Sequence, residues 1–382
     1  MSESRSRQLA REFRNKIRTG QWVAGSRVPT TRELAASYGV SVNTVQNAFR
    51  ELEASALVKR MPRLGGFVNH GVPVLSPKAN TIAVFGAYMN VGYGNAADLS
   101  WETRIIRGCD SELADGGFHV SILPCDPTDP HAVKSVLSRI EQVGDSLGGV
   151  FCFLYPVLRQ LPAELDRRSI AWVTVNRSRE HAVHNFVSHD AISGSRLVGR
   201  CLARMGVDQV ALLSDNFAPG RSSGDKYFGF MSGWMEMHKP SRGVDCLLCD
   251  GFEEHVGYDR MVHYIKQYGR PDAVYAAGDL LALGAMRALR DDGAEVGKDV
   301  YVIGSTNLTL AAHADPSLTV LDTPMEQMGR QAAQMLLEMA REGVRRMVGR
   351  YVPATTIVVR KSCPIPPDVL AEETQSVLAM VG

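Results

Sequence analysis

The apolar positions along the chain follow two different patterns. In the first 70 residues they mostly recur at the spacing of amphipathic helices, whereas from residue 81 onward short apolar runs alternate with amphipathic segments. A stretch of Gly, Pro and polar residues without periodicity separates the two regions, which is typical of a linker. We predict an N-terminal domain (1–70), a linker (71–80), a larger α/β domain (81–362) and a C-terminal tail (363–382).

Two short helices joined by a sharp turn are predicted near residues 30–52. Thr30 and Glu33 have the spacing of a capping box, so a helix can begin there with its free amides satisfied. Gly39 is a suitable end because glycine adopts the left-handed conformation. Ser41 can cap the second helix, whose outer face carries short polar side chains. Such side chains at the start of a helix can reach base edges in the major groove of DNA.

A basic hairpin is predicted to follow the second helix. Apolar pairs at 57–58 and 67–68 flank a basic segment that ends in Gly65-Gly66, and the glycines allow the backbone to approach phosphates closely. The basic residues of this segment are Lys59, Arg60 and Arg63. Together, the two helices and the hairpin predict a winged helix-turn-helix domain.

The region beyond the linker reads as a series of strands and helices in alternation. Apolar runs such as TIAVFGA and QVALLS are bounded by amphipathic segments such as 254–268 and 279–291. This alternation predicts parallel sheets covered on both faces, and the series is long enough for two doubly wound lobes. We expect lobe 1 to span about 81–175 and 306–323, and lobe 2 about 176–305 and 324–362.

The charge distribution supports a nucleic-acid partner for the N-terminal domain. Residues 1–70 carry 12 Lys/Arg against 5 Asp/Glu, or +7, and the other 30 Lys/Arg against 36 Asp/Glu give −6. A basic domain joined to a mildly acidic one fits local phosphate binding. No apolar run is long enough to cross a membrane, and no secretion leader is recognisable, so we expect a cytoplasmic protein.

Seven cysteines are scattered through apolar stretches, which is typical of reduced, buried thiols. Cys246 and Cys249 have the spacing of half a zinc site, but no second pair or His cluster accompanies them, and two core cysteines are the simpler interpretation. We therefore expect neither a metal nor a cofactor.

The segments VPTTRELA, YGVSVNTV, AFRELEASALV and GGFV occur in this order, and with them residues 5–68 resemble the DNA-binding domain of the gluconate-repressor (GntR) family. The resemblance implies DNA contacts from the REL arginine, the start of the second helix and the wing. The implied positions are Arg32, Ser41, Val42, Asn43, Thr44, Gln46 and Gly65, with Arg63 as a phosphate contact. The family usually has arginine at the positions of Val42 and Gln46, so an unusual base preference is expected.

Residues 80–362 resemble the effector domain of the lactose-repressor (LacI) family, which has the periplasmic-binding-protein-like fold. The resemblance rests on ordered segments that include AWVTVNR, VSHDAISGSRLVGRCLARMGVDQVALL, DAVYAAGDLLALGAMRALRDDG and LTVLDTPMEQMGRQAAQMLL. It implies two lobes with a small-molecule effector, such as a sugar or sugar derivative, bound between them.

Candidate effector contacts are the polar and aromatic residues that follow the predicted strands. Ligands of open parallel sheets lie beyond the carboxyl ends of the strands, and aromatic rings can stack on a sugar while polar groups bond its hydroxyls. The candidates are Tyr88, Tyr93, Trp101, Tyr155, Arg177, Asp190, Phe217, Lys226, Asp279, Thr306 and Asn307.

Several candidates also have a purely structural interpretation. Asp190 and Asp279 stand where a helix N-cap is expected. Tyr88, Tyr93 and Trp101 fit a lid or the core of a lobe equally well.

Two positions depart from the pattern of the LacI family. The resemblance places Lys226 where the family commonly has an effector-binding arginine, and the loss of its planar, bidentate donor makes a carboxylate effector less favoured. Asp279 matches the effector-side aspartate of the family, whereas Thr306 replaces another aspartate that accepts paired hydroxyls.

These features favour a ligand-responsive DNA-binding regulator, a repressor that acts as a homodimer on operator DNA. One alternative is an architectural DNA-binding protein whose second domain only dimerises. Another is an enzyme on a doubly wound fold, but the chain has no G-x-x-x-x-G-K-[ST], no G-x-G-x-x-G after a strand and no G-x-S-x-G. We therefore expect no catalytic residues.

Overall fold

The structure is a computed structural model with an N-terminal helical domain and a two-lobed α/β body. It describes residues 5–18, 21–23, 25–54, 57–61, 65–68, 80–86, 101–115, 117–126, 129–153, 158–175, 184–218, 222–237, 243–342 and 346–381.

The N-terminal domain packs three helices against a two-stranded hairpin. Its elements are α1 (Arg5–Arg18), α2 (Thr31–Tyr38), α3 (Val42–Ala54), β1 (Val58–Met61) and β2 (Gly65–Val68). The apolar sides of the helices meet around Phe13, whose ring centroid lies 5.2 Å from that of Trp22 and 5.6 Å from that of Phe49. The strands β1 and β2 pair in antiparallel fashion, which confirms the predicted winged helix-turn-helix.

The first lobe is a parallel sheet with helices on both faces. Its strands are β3 (Thr81–Gly86), β4 (His119–Pro124), β5 (Leu147–Phe153), β6 (Trp172–Val175), β7 (Phe186–His189) and β13 (Arg350–Val352), and its helices are α4 (Trp101–Asp115), α5 (Ala132–Val143), α6 (Leu161–Arg167) and α12 (Met325–Glu342). The strand order among the described residues is β13-β7-β6-β5-β3-β4. Helices α4 and α12 cover one face, and α5 and α6 cover the other.

The second lobe repeats this architecture. Its strands are β8 (Gln209–Ser214), β9 (Gly243–Leu248), β10 (Ala273–Ala276), β11 (Tyr301–Thr306), β12 (Thr319–Asp322) and β14 (Ile357–Val358), and its helices are α7 (Ala191–Arg204), α8 (Ser222–Met237), α9 (Glu254–Tyr268), α10 (Asp279–Asp291), α11 (Thr309–His313) and α13 (Pro367–Val381). The described strands lie in the order β14-β12-β11-β10-β8-β9, and only β14 is antiparallel to its neighbour. The two doubly wound sheets confirm the predicted fold class.

The segments that join the lobes correct the predicted lobe boundaries. Strand β12 pairs in parallel with β11, so it belongs to the second lobe, although 306–323 was assigned to the first. Helix α12 places Met328 and Ala332 in the core of the first lobe, although 324–362 was assigned to the second. Strands β7 and β13 also lie in the first sheet. The assignment was wrong because an apolar run indicates that a strand exists but not which strand it pairs with.

The described chain thus crosses between the lobes after β7, after β12 and after β13. Short hydrogen bonds hold these crossings side by side: the amide of Asp190 donates to the carbonyl of Val352 (2.9 Å), and that of Asp322 to the carbonyl of Thr356 (2.8 Å). The crossings therefore form one compact hinge region.

The C-terminal tail, for which the sequence predicts no role, forms helix α13 on the second lobe. Val377 is buried in the core shared with α7 and α8. Beside it, Glu373 is buried and accepts a hydrogen bond of 2.5 Å from Nε of Arg200 on α7. The tail is therefore an integral part of this lobe.

Close backbone contacts join neighbouring helices in both lobes. A Cβ added at Gly329 of α12 would overlap the carbonyl oxygen of Ile105 in α4. The corresponding pairs in the second lobe are Gly229 with Ile192 (α8 on α7) and Gly284 with Glu254 (α10 on α9). Because these helices touch at the backbone, even an added methyl group would push them apart.

Among the described residues, no helix is both long and apolar enough to cross a membrane.

Candidate DNA interface and effector crevice

Local interactions set the start of α2 and the turn between α2 and α3. Thr30 Oγ1 accepts the amide of Glu33 (3.3 Å), and Glu33 Oε2 accepts the amide of Thr30 (2.7 Å), which is the predicted capping box. Gly39 ends α2 in the left-handed conformation with φ of 63°. The amide of Thr44 donates to Ser41 Oγ (3.1 Å), so Ser41 caps α3 as the sequence indicated. Both ends of the turn are therefore set by neighbouring residues.

The start of α3 presents its side chains outward. Ser41, Val42 and Asn43 are exposed, whereas Thr44 and Gln46 are half-buried. Arg32, on the first turn of α2, is exposed as well. The buried side of α3 carries Val45, Ala48, Phe49 and Leu52, which anchor it in the domain core. The predicted DNA contacts of α2 and α3 thus lie on or beside the outer face of an anchored helix.

The wing is tied to the rest of the domain by two arginines that the sequence analysis did not single out as DNA contacts. Arg27 forms an isolated antiparallel bridge with Phe67 of β2. Its side chain packs against Gly65, which has φ of 97°, so closely that an added Cβ would lie 3.1 Å from Nε of Arg27. Arg60 makes an ion pair of 2.7 Å with Glu53 of α3, and its guanidinium lies 5.8 Å from the ring centroid of Phe49. The predicted contact Arg63 lies outside the described residues.

A groove of about 270 Å³ separates the wing from the N-terminus of α2. Its lining includes Arg27, Thr30, Thr31, Arg60 and Gly65. Two cationic side chains therefore face the same groove as the positive end of the α2 dipole, an arrangement that suits a phosphate group.

In the body, buried charges collect at the carboxyl ends of the second-lobe strands. Lys226 of α8 is 8% exposed, and its Nζ donates to the carbonyl of Ala277 just after β10 (2.8 Å). Asp279 is 1% exposed, and its Oδ2 accepts the amide of Leu308 (2.6 Å) rather than capping α10. Among the described residues, Oδ1 of Asp279 and Oδ1 of Asp215 lack a hydrogen-bond partner. Both oxygens are buried acceptors near the ends of these strands.

Burial shifts the pKa values of both charged groups. It lowers the pKa of Lys226 to about 8, against the opposing charges of Asp279 and Asp215. It raises the pKa of Asp279 to about 6, against the Leu308 amide and the charge of Lys226. At pH 7 both groups are mainly ionised, so the crevice offers a buried cation and a buried carboxylate in a region of low dielectric. Hydrogen bonds to a ligand are strong in such surroundings.

His189 adds a neutral polar group from the end of β7. Burial and the nearby charge of Lys226 lower its pKa to about 3, so the imidazole is uncharged at pH 7. Its Nε2 lies 3.4 Å from Oγ of Ser222 on α8, and its Nδ1 has no partner among the described residues. His189 is not among the effector contacts predicted from the sequence.

Other predicted effector contacts are engaged within the protein. Asp190 caps α7 by accepting the amide (3.1 Å) and the hydroxyl (2.6 Å) of Ser193, as its structural interpretation required. The ring centroid of Trp101 lies 5.2 Å from that of Phe153, and this edge-to-face pair packs on the core of the first lobe. Phe217 makes a similar contact with Tyr227 at 5.3 Å.

The segment after β11 is also held internally. Asn307 has φ of 62°, its Nδ2 donates to Asp322 Oδ1 (2.9 Å), and its Oδ1 accepts Nη2 of Arg360 (2.8 Å). Thr306 is half-buried beside it. The side-chain amide of Asn307 is therefore already bonded at both ends.

Four further predicted effector contacts lie outside the described residues. They are Tyr88, Tyr93, Tyr155 and Arg177.

Comparisons with known proteins agree with this division of the molecule. Residues 5–68 match the model for bacterial regulatory proteins of the gntR family, and residues 200–363 match the model for the periplasmic binding protein-like domain. The HTH-type transcriptional repressor PurR of Pectobacterium carotovorum subsp. carotovorum (strain PC1) is 31% identical over 316 residues, which is 81% of this chain and 89% of that protein. The chain belongs to the LacI/PurR-type repressor family.

Two further similarities extend over both domains of this LacI/PurR-type repressor. The arabinose metabolism transcriptional repressor of Geobacillus stearothermophilus is 24% identical over 367 residues, 93% of this chain and 96% of that protein. A solved complex of the transcriptional regulator CelR with cellobiose has a TM-score of 0.63 at 21% identity, and the match covers 88% of this chain and 100% of that chain. The predicted combination of a GntR-type head with a LacI-type body is confirmed.

In this LacI/PurR-type repressor, three side chains of the candidate sites were missed from sequence. They are Arg27, His189 and Asp215. His189 could have been found as the last residue of a strand, directly before the helix cap Asp190. That strand spans only Phe186–His189, which is too short to be recognised from its pattern. Arg27 precedes the capped helix by a few residues, and only the fold brings it to the wing.

Proposed function

We propose that this chain is a transcriptional repressor that acts as a homodimer, binds operator DNA through its winged helix and responds to a small polar effector. The effector, a sugar or sugar derivative, binds between the lobes. Repressors act on chromosomal DNA, so the proposed location is the cytoplasm. Membership of a repressor family supports this function, since the relatives named above are transcriptional regulators.

The observation that carries the proposal is that one chain combines an exposed polar helix in its N-terminal domain with buried charged residues at the strand ends of its body. The start of α3 is exposed and polar on an anchored helix, as a DNA reader requires. In the body, Lys226 and Asp279 are buried at the strand ends where ligands of such sheets bind, and Oδ1 of Asp279 has no hydrogen-bond partner among the described residues.

The proposed DNA contacts are Arg32, Ser41, Val42, Asn43, Thr44, Gln46, Arg63 and Gly65. Selection of bound sequences from a random DNA library by the full-length protein tests the reader. We expect enrichment of a two-fold symmetric site, because a symmetric dimer presents two equivalent heads. Binding should weaken steeply with salt as phosphate contacts are screened. Failure to enrich any sequence would contradict the proposal for the head.

Thermal melting against a panel of sugars, sugar acids and polyols tests the sensor. A ligand that binds only the folded protein at 100 times its Kd should stabilise it by roughly 2.7 kcal/mol, which is readily seen as a shift in Tm. The shift should vanish in Lys226→Met and Asp279→Asn and persist in Lys298→Met, a variant of an exposed lysine. A panel without any response would favour an architectural DNA-binding protein instead.

A further inference from the structure

A hydrogen-bonded contact joins the two lobes at residues that do not themselves belong to a crossing of the chain. Arg104 lies on the first turn of α4 in the first lobe, and its Nη1 donates to the carbonyl of Asn307 in the second lobe (2.8 Å). The carbonyl of Thr306 lies 3.4 Å from the same nitrogen. Some 203 residues separate Arg104 from Asn307, so the local chain does not force this contact.

This contact differs from those at the crossings. The bond between Asp190 and Val352 lies where the chain passes from lobe to lobe, so it can persist whatever the angle between the lobes. The contact between His189 and Ser222 also begins at a crossing, and at 3.4 Å it is longer. The Arg104 contact, in contrast, joins a side chain of the first lobe to a backbone carbonyl of the second without a chain crossing at either residue, so a change in the angle between the lobes can break it.

The acceptor of this contact is rigid. Asn307 is fixed in the left-handed conformation by its side-chain bonds to Asp322 and Arg360. Asp322 is the last residue of β12, directly before the chain crosses to α12. The carbonyl that Arg104 binds is therefore held in place by the hinge region itself.

The same segment reaches the candidate effector site. Leu308, the residue after Asn307, donates its amide to Oδ2 of the buried Asp279 (2.6 Å). Asp279 in turn keeps Oδ1 free among the described residues. One short segment thus connects Arg104 in the first lobe, the hinge at Asp322 and a carboxylate of the effector site.

We propose that Arg104 is an inter-lobe latch, a side chain that holds the closed arrangement of the lobes by binding the carbonyl groups of Thr306 and Asn307. The latch goes beyond the proposed function because it specifies which contact sets the balance between open and closed lobes. A charged donor on a carbonyl is stronger than a neutral pair, so a single residue can bias this balance. An effector that binds Asp279 more tightly in one arrangement of the lobes than in the other shifts the same balance.

Distances between spin labels on the two lobes test the latch without effector or operator, so the outcome does not depend on the proposed function. Labels are placed on the exposed Ser138→Cys of α5 and Gln267→Cys of α9. The background is Cys246→Ser, since the other six cysteines are buried. The full-length protein is measured by double electron–electron resonance.

Arg104→Met removes all the hydrogen-bond donors of the side chain and leaves an unbranched apolar chain that ends at the position of Nε. We expect the ratio of closed to open lobes to fall on the order of tenfold, the change that corresponds to loss of one hydrogen bond from a charged group. Arg107→Met is the matched control, because Arg107 lies one turn along α4 and pairs with Glu326 within the first lobe (3.9 Å). Its distance distribution should equal that of the parent.

A second variant, Arg104→Gln, allows the test to be made if Arg104→Met does not fold. Arg104→Gln keeps a polar group that ends two bonds short of the guanidinium nitrogens, and it should also populate the open arrangement. Circular dichroism identifies any variant that fails to fold, and the remaining variant then decides. The latch is overturned if a folded Arg104 variant retains the parent distribution, or if the parent is already as open as the variants. A residue with a merely structural role would lower the Tm without changing the inter-lobe distance.

Discussion

The buried ion pair between α13 and α7 leads to a sharp prediction about stability. Glu373 has a side chain that is 2% exposed, and it binds Arg200, which is 10% exposed. The adjacent Glu372 is 61% exposed and pairs with Arg204 at 2.8 Å on the surface. Substitution of each glutamate by glutamine removes one negative charge from the same turn of the same helix. The two glutamates differ mainly in burial, and both lie within reach of Arg204, which is 3.6 Å from Glu373.

The size of the expected loss in stability depends on the hydrogen bonds that Arg200 retains in the variant. Breaking a buried pair typically costs about 3–5 kcal/mol, because a charge is left without compensation. Arg200 retains a bond of 2.8 Å to Glu236 of α8 in Glu373→Gln, and the amide oxygen of glutamine can still accept a hydrogen bond. We therefore expect a loss of roughly 2–3 kcal/mol, below the full cost of a broken pair. Glu372→Gln should cost only about 0–1 kcal/mol, as exposed pairs do.

Hydrogen exchange measured by mass spectrometry on the full-length protein can resolve this difference locally. Peptides that span α7 and α13 report the free energy of opening for this part of the second lobe. Glu373→Gln should lower it by the larger amount, and peptides of the first lobe should be unaffected. Equal effects from the two variants would refute the assignment of α13 as an integral, charge-anchored element.

Three further predictions concern other sites. Arg32→Ala should weaken operator binding in a fluorescence anisotropy titration by roughly tenfold or more, whereas Arg167→Ala, at an exposed site of the body, should not; undiminished binding would remove Arg32 from the interface. Gly329→Ala should lower the free energy of unfolding by about 1–3 kcal/mol in urea titration, because the methyl group meets the Ile105 carbonyl; an unchanged midpoint would contradict the close packing. Burial raises the pKa of Asp279 from about 3.8 to about 6, so its contribution to stability is present below pH 4 and lost as the pH rises through 6. Relative to the parent, Asp279→Asn should gain up to roughly 3 kcal/mol between pH 4 and pH 7, and a pH-independent difference would show that the shift is absent.

Much of the local structure could be predicted because it depends on short-range chemistry. The capping box of Thr30 and Glu33 and the stop at Gly39 require only neighbouring residues, and the structure has all of them. The predicted helices 254–268 and 279–291 agree with α9 and α10 at both ends, because their apolar spacing is uninterrupted.

Non-local pairing explains what the sequence did not reveal. Strands β7 and β13 are only 4 and 3 residues long, too short for a periodic signal. The position of β12 in the second sheet depends on its pairing with β11, and no local pattern encodes a partner strand. The same holds for the candidate site: Asp279 was found at a strand end, whereas the roles of Arg104 and Arg27 depend on residues distant in sequence.

The glycine contacts between helices limit how a signal can travel through this molecule. Three helix pairs touch at the backbone: α4 and α12 in the first lobe, and α7 with α8 and α9 with α10 in the second. Such close contacts oppose sliding of these helices against each other. We therefore expect each lobe to move as a rigid unit, with the change in the angle between the lobes taken up by the residues around Asp190, Thr323 and Ala354. Substitutions in these linking segments would change how strongly an effector alters the angle between the lobes, without changing the stability of either lobe.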